Sequence, residues 1–306
     1  MGLKKIILLG GPTASGKSEI ALKLANIING EIINADSMQI YKDFLILSSR
    51  PSPQDEKKIK HYLYGFQSSK KIFSTGQWLK LAKRQINCCI RAKKIPIIVG
   101  GTGLYFKAVT NGLTKIPQIK NVQRECIRNL HKRLGQKKFY QKLIKLDPLA
   151  KKFINPYDVQ RSLRAFEVKK YTKKSLYDWI KTTKSDFLNY KIIKVFIDVP
   201  KSILLKNINS RVDEMFKKRV VSEVKNFLKL KISPDHTANK MIGISEIKDY
   251  LNMKFDKNRT TELIKIRTRQ YAKRQFTWSR GHMKSWKRIY DNNLSTLLGK
   301  IVKEIV

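Results

Sequence analysis

The chain has 306 residues, 42% of them hydrophobic, enough for one large domain or two modest ones with a substantial core. Lys and Arg number 65 against 23 Asp and Glu, a formal net charge of +42 that favours a polyanionic partner, RNA or DNA before a membrane, and salt-sensitive binding. Three cysteines (Cys88, Cys89, Cys126) and four histidines (His61, His131, His236, His282) make no zinc-ligand spacing, and no apolar run approaches a membrane span, so a soluble chain in a reducing cytoplasm is expected. Lysine, isoleucine and asparagine are abundant throughout, as drift toward AT-rich codons produces, so only local clusters of Arg with aromatics carry functional weight.

Lys4 to Leu9 reads as a short apolar strand, and Ser18 to Ile28 has helical apolar spacing at Ile20, Leu24 and Ile27. Between them, Gly11 to Ser18 (GPTASGKS) fits G-x-x-x-x-G-K-[ST], a loop whose backbone amides turn toward an anion at a helix N-terminus. Lys17 would reach a bound phosphate, and the Ser18 hydroxyl would sit near a metal ion. Glu31 to Asn34 is a second strand, and Asp36 follows it directly, free to bind magnesium, take a proton or cap the next turn. Gln39, two residues past Ser37, offers the paired donor and acceptor that an adenine edge requires. Helical spacing runs from Trp78 to Ala92, and Ile95 to Val99 is a buried strand ending at Gly100-Gly101. Three glycines around Thr102 give either a tight structural turn or an anion-facing one with a single hydroxyl. No Asp ends that strand, so the usual partner of a nucleotide-hydrolysing loop is missing. Strand-helix alternation predicts an α/β fold: a P-loop-type parallel sheet with helices on both faces and ligands beyond the carboxyl ends of the strands.

From about residue 116 the pattern becomes all-helical, with apolar residues at helical spacing (Phe139, Leu143, Leu146) and then Val159, Leu163 and Phe166 facing inward. Asn155 to Asp158 reads as a turn and N-cap, and Arg161 and Arg164 share a helix face beside Gln160. Ile192 to Val199 returns to strand. Residues 1–115 and 190–306 are therefore expected to form the α/β core and 116–189 a helical insertion domain. From Lys201 onward the chain reads as helical, ending in a strong helix over Thr261 to Arg280. Arg211 beside Asp213 is either an arginine aimed at a phosphate or half of a surface ion pair. Residues 268–282 (TRQYAKRQFTWSRGH) suit nucleic-acid contact, and equally a helix docked by its aromatics.

Taken in order, GPTASGKS, ADSMQIY, VGGTGLYFKAV, NPYDVQRSLRAFEV, SRVDEM, KMIGISEI and TRQYAKRQFTW closely resemble the bacterial tRNA dimethylallyltransferases, also called tRNA isopentenyltransferases. The resemblance runs through nearly the whole chain. It implies transfer of a dimethylallyl group from dimethylallyl diphosphate to the exocyclic amine of the adenine just 3′ of the anticodon, in tRNAs that read codons starting with U. By that resemblance Gly11, Thr13, Ala14, Ser15, Gly16, Lys17 and Ser18 hold the prenyl diphosphate, with Mg²⁺ near Ser18. Asp36 is the general base, Thr102 stands between diphosphate and tRNA, and Arg211 stabilises the departing diphosphate. Asp36, Ser37, Met38 and Gln39, with Thr102, contact the anticodon stem-loop of the tRNA. A second contact falls on Gln160, Arg161, Ser162, Leu163 and Arg164, and a further one on Arg124. A cytoplasmic, monomeric enzyme is implied. The rival reading is a P-loop kinase for a small molecule or nucleotide.

Several positions depart from the resembled pattern. Ser48-Ser49-Arg50-Pro51 stands for Thr-Ala-Lys-Pro, and His61-Tyr62-Leu63-Tyr64-Gly65 loses one His and an acid. Arg219 replaces a glycine, and Ile242-Gly243-Ile244-Ser245-Glu246 varies the IGY-K-E pattern. These put rate and tRNA preference in question and leave the base, the loop lysine and the threonine in place.

Overall fold

The computed structural model describes residues 4–234 and 236–305. They divide into two compact units, residues 1–110 with 189–306 and residues 111–188. The first unit is built on six parallel strands: β1 (Lys4–Gly10), β2 (Gly30–Asn34), β3 (His61–Tyr62), β4 (Ile95–Gly100), β5 (Tyr190–Asp198) and β6 (Lys287–Tyr290). Their order is β3-β2-β4-β1-β5-β6. Parallel strands covered on both faces should be apolar on both, and they are. Ile7, Leu9, Ile32, Ile97 and Val99 join one core cluster, while the alternate residues Ile6, Leu8, Ile33 and Ile98 are fully buried on the other face. Each such side chain contributes about 1.5–3 kcal/mol of burial.

Helices α1 (Lys17–Ile27), α2 (Pro53–Lys58) and α3 (Thr75–Arg91) connect the first four strands, and α4 (Gly103–Asn111) follows β4. Ser52 caps α2 and Ser74 caps α3, each within a reciprocal capping box that satisfies two otherwise unpaired amides. In α3 the buried residues Trp78, Ala82, Ile86 and Cys89 form one stripe, and the Trp78 ring stacks on Tyr105 of α4 at 4.1 Å.

The second unit carries α5 (Asn121–Leu146), α6 (Val159–Thr172) and α7 (Leu176–Lys181). Gly135 breaks α5 with φ 72°, and the two pieces enclose Phe139, Leu143, Ala165 and Phe166. Asp158 caps α6 by accepting from the Arg161 amide. Leu146, in the last turn of α5, is 37% exposed.

After β5 come α8 (Lys201–Lys217), α9 (Val220–Leu228), α10 (Ile244–Leu251), α11 (Lys257–His282) and α12 (Leu294–Ile305). The all-helical expectation for this part fails at β6. Four residues, KRIY, add a parallel edge strand to β5, burying Ile289 alone. Too short to show an alternation, the strand is fixed by its neighbour. α12 then returns Leu297, Ile301 and Ile305 to the cluster that covers α1. Arg219, where the resembled pattern has glycine, holds a left-handed φ of 65° at the α8–α9 junction. Among the described residues no helix is long and apolar enough to cross a membrane.

Candidate active site

The loop between β1 and α1 is held from three directions. Lys17 Nζ donates to the Pro12 carbonyl at 3.0 Å, and Asn207 of α8 donates to the Ala14 carbonyl at 3.0 Å. The Thr13 amide donates to Gln275 Oε1 at 2.8 Å, while Gln275 Nε2 donates to the Gly101 carbonyl at 3.1 Å. One amide of α11 thus ties the two glycine loops together. Burial pushes the Lys17 ammonium down to a pKa of about 8, against the pull of Asp36 and with a further push from Arg211. Ser15 Oγ is buried with no hydrogen-bond partner among the described residues, a group that an incoming anion would satisfy.

Asp36 stands two residues past the end of β2. The buried Asn34 side chain fixes it, accepting from the Asp36 amide at 2.7 Å and donating to the Asp36 carbonyl at 3.0 Å. Asp36 Oδ1 accepts from the Met38 amide at 2.9 Å, so the turn-capping reading holds for one oxygen. The other has no hydrogen bond among the described residues. Tyr64, Tyr105 and Tyr271 have phenol pKa values raised by burial first and by the Asp36 charge second, which keeps all three hydroxyls protonated.

Thr102 Oγ1 accepts from the Ser37 amide at 2.9 Å and donates to Ser37 Oγ at 3.3 Å, joining the β4 turn to the β2 turn. Gly100 makes that contact possible. A Cβ there would lie 2.1 Å from the Ala35 carbonyl oxygen, so only glycine fits.

Arg211 of α8 donates from Nη1 to Thr13 Oγ1 at 2.9 Å and from Nη2 to the Ser48 carbonyl at 3.4 Å. Its Nε is buried with no partner among the described residues, and desolvation lowers its pKa. Asp213 pairs with Lys265 at 2.7 Å, which removes the alternative of an Arg211–Asp213 surface pair. Gln39 corrects another expectation. Its amide nitrogen donates to the Ser48 and Ser49 carbonyls at 3.1 and 2.8 Å, so both hydrogens are spent on the loop and none is offered to an adenine edge. Glu223 of α9 holds the same loop, accepting from the amides of Leu45, Ile46 and Leu47 at 2.8–2.9 Å.

Two cavities flank these groups. One of about 260 Å³ is lined by Gly101, Thr102, Ser37, Phe196 and Trp278; the other, about 240 Å³, by Thr13, Asp36, Arg211 and an apolar wall. Tyr271 and Arg274 line both. Sequence reasoning offered Tyr271 and Arg274 only as part of a nucleic-acid-contacting segment and gave Gln275 no role, because helical spacing does not say which loop a helix face meets. The α11 aromatics dock the helix: Phe276 packs on the sheet core, and Trp278 covers Gly103, where a Cβ would lie 2.2 Å from its ring. Lys273, Arg274 and Arg280 are exposed.

In the helical unit, Arg161 is exposed and paired with Asp158 at 2.8 Å, Gln160 is exposed, and Arg164 approaches Glu167 at 3.5 Å. Arg124 is half-buried, with its Nε unpartnered. Burial raises the Glu167 pKa, opposed by Arg164, Arg124 and Arg128. Ser162 is fully buried against Gln136, and Leu163 packs on the unit's core. Neither presents a side chain to RNA, because both lie on the inward stripe of α6.

A family model described as IPP transferase matches residues 39–282. The chain belongs to the IPP transferase family. It is thus a prenyltransferase enzyme, and the membership does not favour the kinase reading. A tRNA dimethylallyltransferase of Pelagibacter ubique is 52% identical over 299 residues, covering 98% of this chain and 96% of that one. One of Rickettsia massiliae is 42% identical over 278 residues, 90% and 76% of the two chains. Among solved structures, a tRNA isopentenylpyrophosphate transferase of Staphylococcus epidermidis matches this IPP transferase with TM-score 0.68 and 28% identity, over 99% and 98% of the chains. A eukaryotic dimethylallyltransferase acting on tRNA matches with TM-score 0.83 and 26% identity, over 95% and 75%.

Proposed function

We propose that this IPP transferase moves a dimethylallyl group from dimethylallyl diphosphate to the exocyclic amine of the adenine 3′-adjacent to the anticodon, in tRNAs reading codons that start with U. The observation that carries the reading is a single cavity that joins Asp36 to Thr13 and Arg211. A proton acceptor and an anion grip face one space.

An adenine amine is a weak nucleophile, because its lone pair is delocalised into the ring. Asp36, held by Asn34, takes a proton from it as the carbon–nitrogen bond forms. The carbon–oxygen bond to the diphosphate breaks at the same carbon. Charge gathers on the leaving diphosphate, where Lys17, Arg211, the hydroxyls of Thr13 and Ser15, and the amides of Gly11, Ala14, Gly16, Lys17 and Ser18 receive it. The unpartnered Ser15 Oγ and Arg211 Nε support an anion there. Thr102, bonded to Ser37, sets the wall between diphosphate and base.

Magnesium fits the loop. Ser18 offers a hard oxygen donor in the first turn of α1, and among the described residues no cluster of three or more His, Cys, Asp or Glu could hold a metal ion. That donor set suits an ion held mainly by substrate phosphates and water. Ser18 would hold it, and bound Mg²⁺ would neutralise diphosphate charge. The tRNA contacts fall on Ser37, Met38 and Thr102 in the core and on Arg124, Gln160, Arg161 and Arg164 in residues 111–188, with the enzyme working as a cytoplasmic monomer.

Incubation with dimethylallyl diphosphate, Mg²⁺ and total tRNA, followed by nucleoside mass spectrometry, tests the reading. A prenylated adenosine confined to tRNAs for U-starting codons is expected. Transfer of the terminal phosphate of ATP to a small acceptor, with no prenylated nucleoside, would overturn it.

A further inference from the structure

We infer that Gln275 is a positioning residue for prenyl transfer: its side-chain amide sets the separation between the loop that grips the leaving diphosphate and the turn that carries the base. This rests on the proposed transfer at the Asp36–Arg211 cavity and gives a role to a side chain outside the reacting groups.

The two halves of that site stand at the ends of different strands. The β1–β4 ladder has Gly10 and Gly100 as its last pair. Beyond it the chains part, and among the described residues no hydrogen bond runs directly from residues 11–18 to residues 101–103. Gln275 of α11 spans the gap. Its Oε1 accepts from the Thr13 amide at 2.8 Å, and its Nε2 donates to the Gly101 carbonyl at 3.1 Å. A Cβ on Gly101 would lie 2.2 Å from that Nε2, so the close approach needs glycine there.

Each of the two bonds leads into one half of the site. Thr13 is held at its other end too, where Oγ1 accepts from Arg211 Nη1 at 2.9 Å, and both residues line the cavity that holds Asp36. On the far side Gly101 leads into Thr102. The Thr102 amide donates to the Ala35 carbonyl at 3.1 Å, and its Oγ1 accepts from the Ser37 amide at 2.9 Å. Ala35 and Ser37 are the chain neighbours of Asp36. One amide therefore links the residues that face the diphosphate to the residues that flank the base. Gln275 is itself anchored, since Ala272 is buried one turn before it and Phe276 packs on the sheet core.

The chemistry is sensitive to that separation. The adenine nitrogen enters on one side of the allylic carbon as the diphosphate oxygen leaves from the other, so the three atoms must fall near one line. The diphosphate takes its place from residues 11–18 and the amine takes its place from Asp36, and neither grip fixes the other. Reacting atoms must start about 3–3.5 Å apart, and a misplacement of about 1 Å can cost about a hundredfold in rate. Loosening the Gln275 bridge therefore acts on turnover, while each substrate still finds its own contacts.

The test uses two variants. Gln275→Ala removes both bonds; Gln275→Glu keeps nearly the same size and still accepts from the Thr13 amide, but sets a carboxylate oxygen against the Gly101 carbonyl. In each, kcat at saturating dimethylallyl diphosphate and tRNA should fall about ten- to a hundredfold. Affinity for either substrate alone, by isothermal titration for the diphosphate and filter binding for tRNA, should move by less than about fivefold. Gly101→Ala presses on the same amide from its other side, so in the Gln275→Ala background it should cost little further, as two changes to one contact do. Either Gln275 variant suffices if the other does not fold. Full kcat in a folded variant, a loss carried by affinity alone, or two losses that simply multiply would overturn the inference and leave the transfer standing. Absence of prenylated adenosine from the wild-type reaction overturns the underlying function instead.

Discussion

The sheet-based unit and the helical unit treat their arginines differently. In the core, Arg211 of α8 reaches Thr13 and Ser48, partners far away in sequence, and its Nε is buried without a partner. In residues 111–188, Arg161 and Arg164 pair with Asp158 and Glu167, each only three residues away on the same helix. The exposed Arg161–Asp158 pair is worth at most about 1 kcal/mol and is readily exchanged for a phosphate, whereas Arg164 faces a largely buried Glu167. Arg211 is fixed in place before any substrate arrives. On the proposed function, the arginine facing the diphosphate is locked and Arg161, offered to RNA, is lightly held.

The sharpest way to break that contrast is Asp36→Ala. Prenyl transfer should fall by about two or more decades while tRNA affinity, measured by filter binding, survives. An unchanged rate would remove Asp36 as the base. Next comes pH. Lys17 carries a pKa of about 8 in the free protein, and diphosphate binds the charged form. Affinity for the diphosphate should therefore drop by up to about tenfold per pH unit above 8. A lysine with a folded pKa below its unfolded one gains folding stability as pH rises from about 8 towards its ordinary range, so this group does not unfold the protein over that window. Isothermal titration at several pH values reads the slope; a flat profile would mean that Lys17 makes no contact with the anion.

Arg161→Ala with Arg164→Ala should do the reverse of Asp36→Ala. Binding of tRNA weakens and the slope of log K against log salt becomes shallower by about 0.9 for each lost phosphate contact, or about 0.7 on single-stranded stretches, while dimethylallyl diphosphate affinity holds. If binding and slope are unchanged, α6 does not grip RNA. The smallest effect concerns backbone alone. Arg219→Gly relieves a left-handed residue costing about 1–2 kcal/mol and loses about 0.4–1 kcal/mol to unfolded-chain entropy. A net gain of up to about 1.6 kcal/mol in denaturant unfolding is expected, with kcat untouched.

What was legible in the sequence was local or periodic. The phosphate loop, the strands at residues 31–34 and 95–99 and the Asp158 cap each declare themselves within a few residues. What was not legible depended on distant partners. β6 exists only because β5 offers an edge. Gln39 turned to its own loop because Ser48 and Ser49 present carbonyls there. Ser162 sits among residues readable as an RNA-facing run, yet helical phase turns it inward. The gathering of Lys17, Asp36, Thr102 and Arg211 was suggested by family resemblance and by the strand-end rule; the part of Gln275 was signalled by neither.

Gln275 has a consequence for the order in which the molecule is made. The phosphate loop is made early, but the side-chain amide that bonds Thr13 and Gly101 follows Thr13 by 262 residues. Until that residue is out and α11 has docked, the two loops lack their tie. A chain made only as far as α10 therefore has its two glycine loops untied, and the tie forms only once α11 follows.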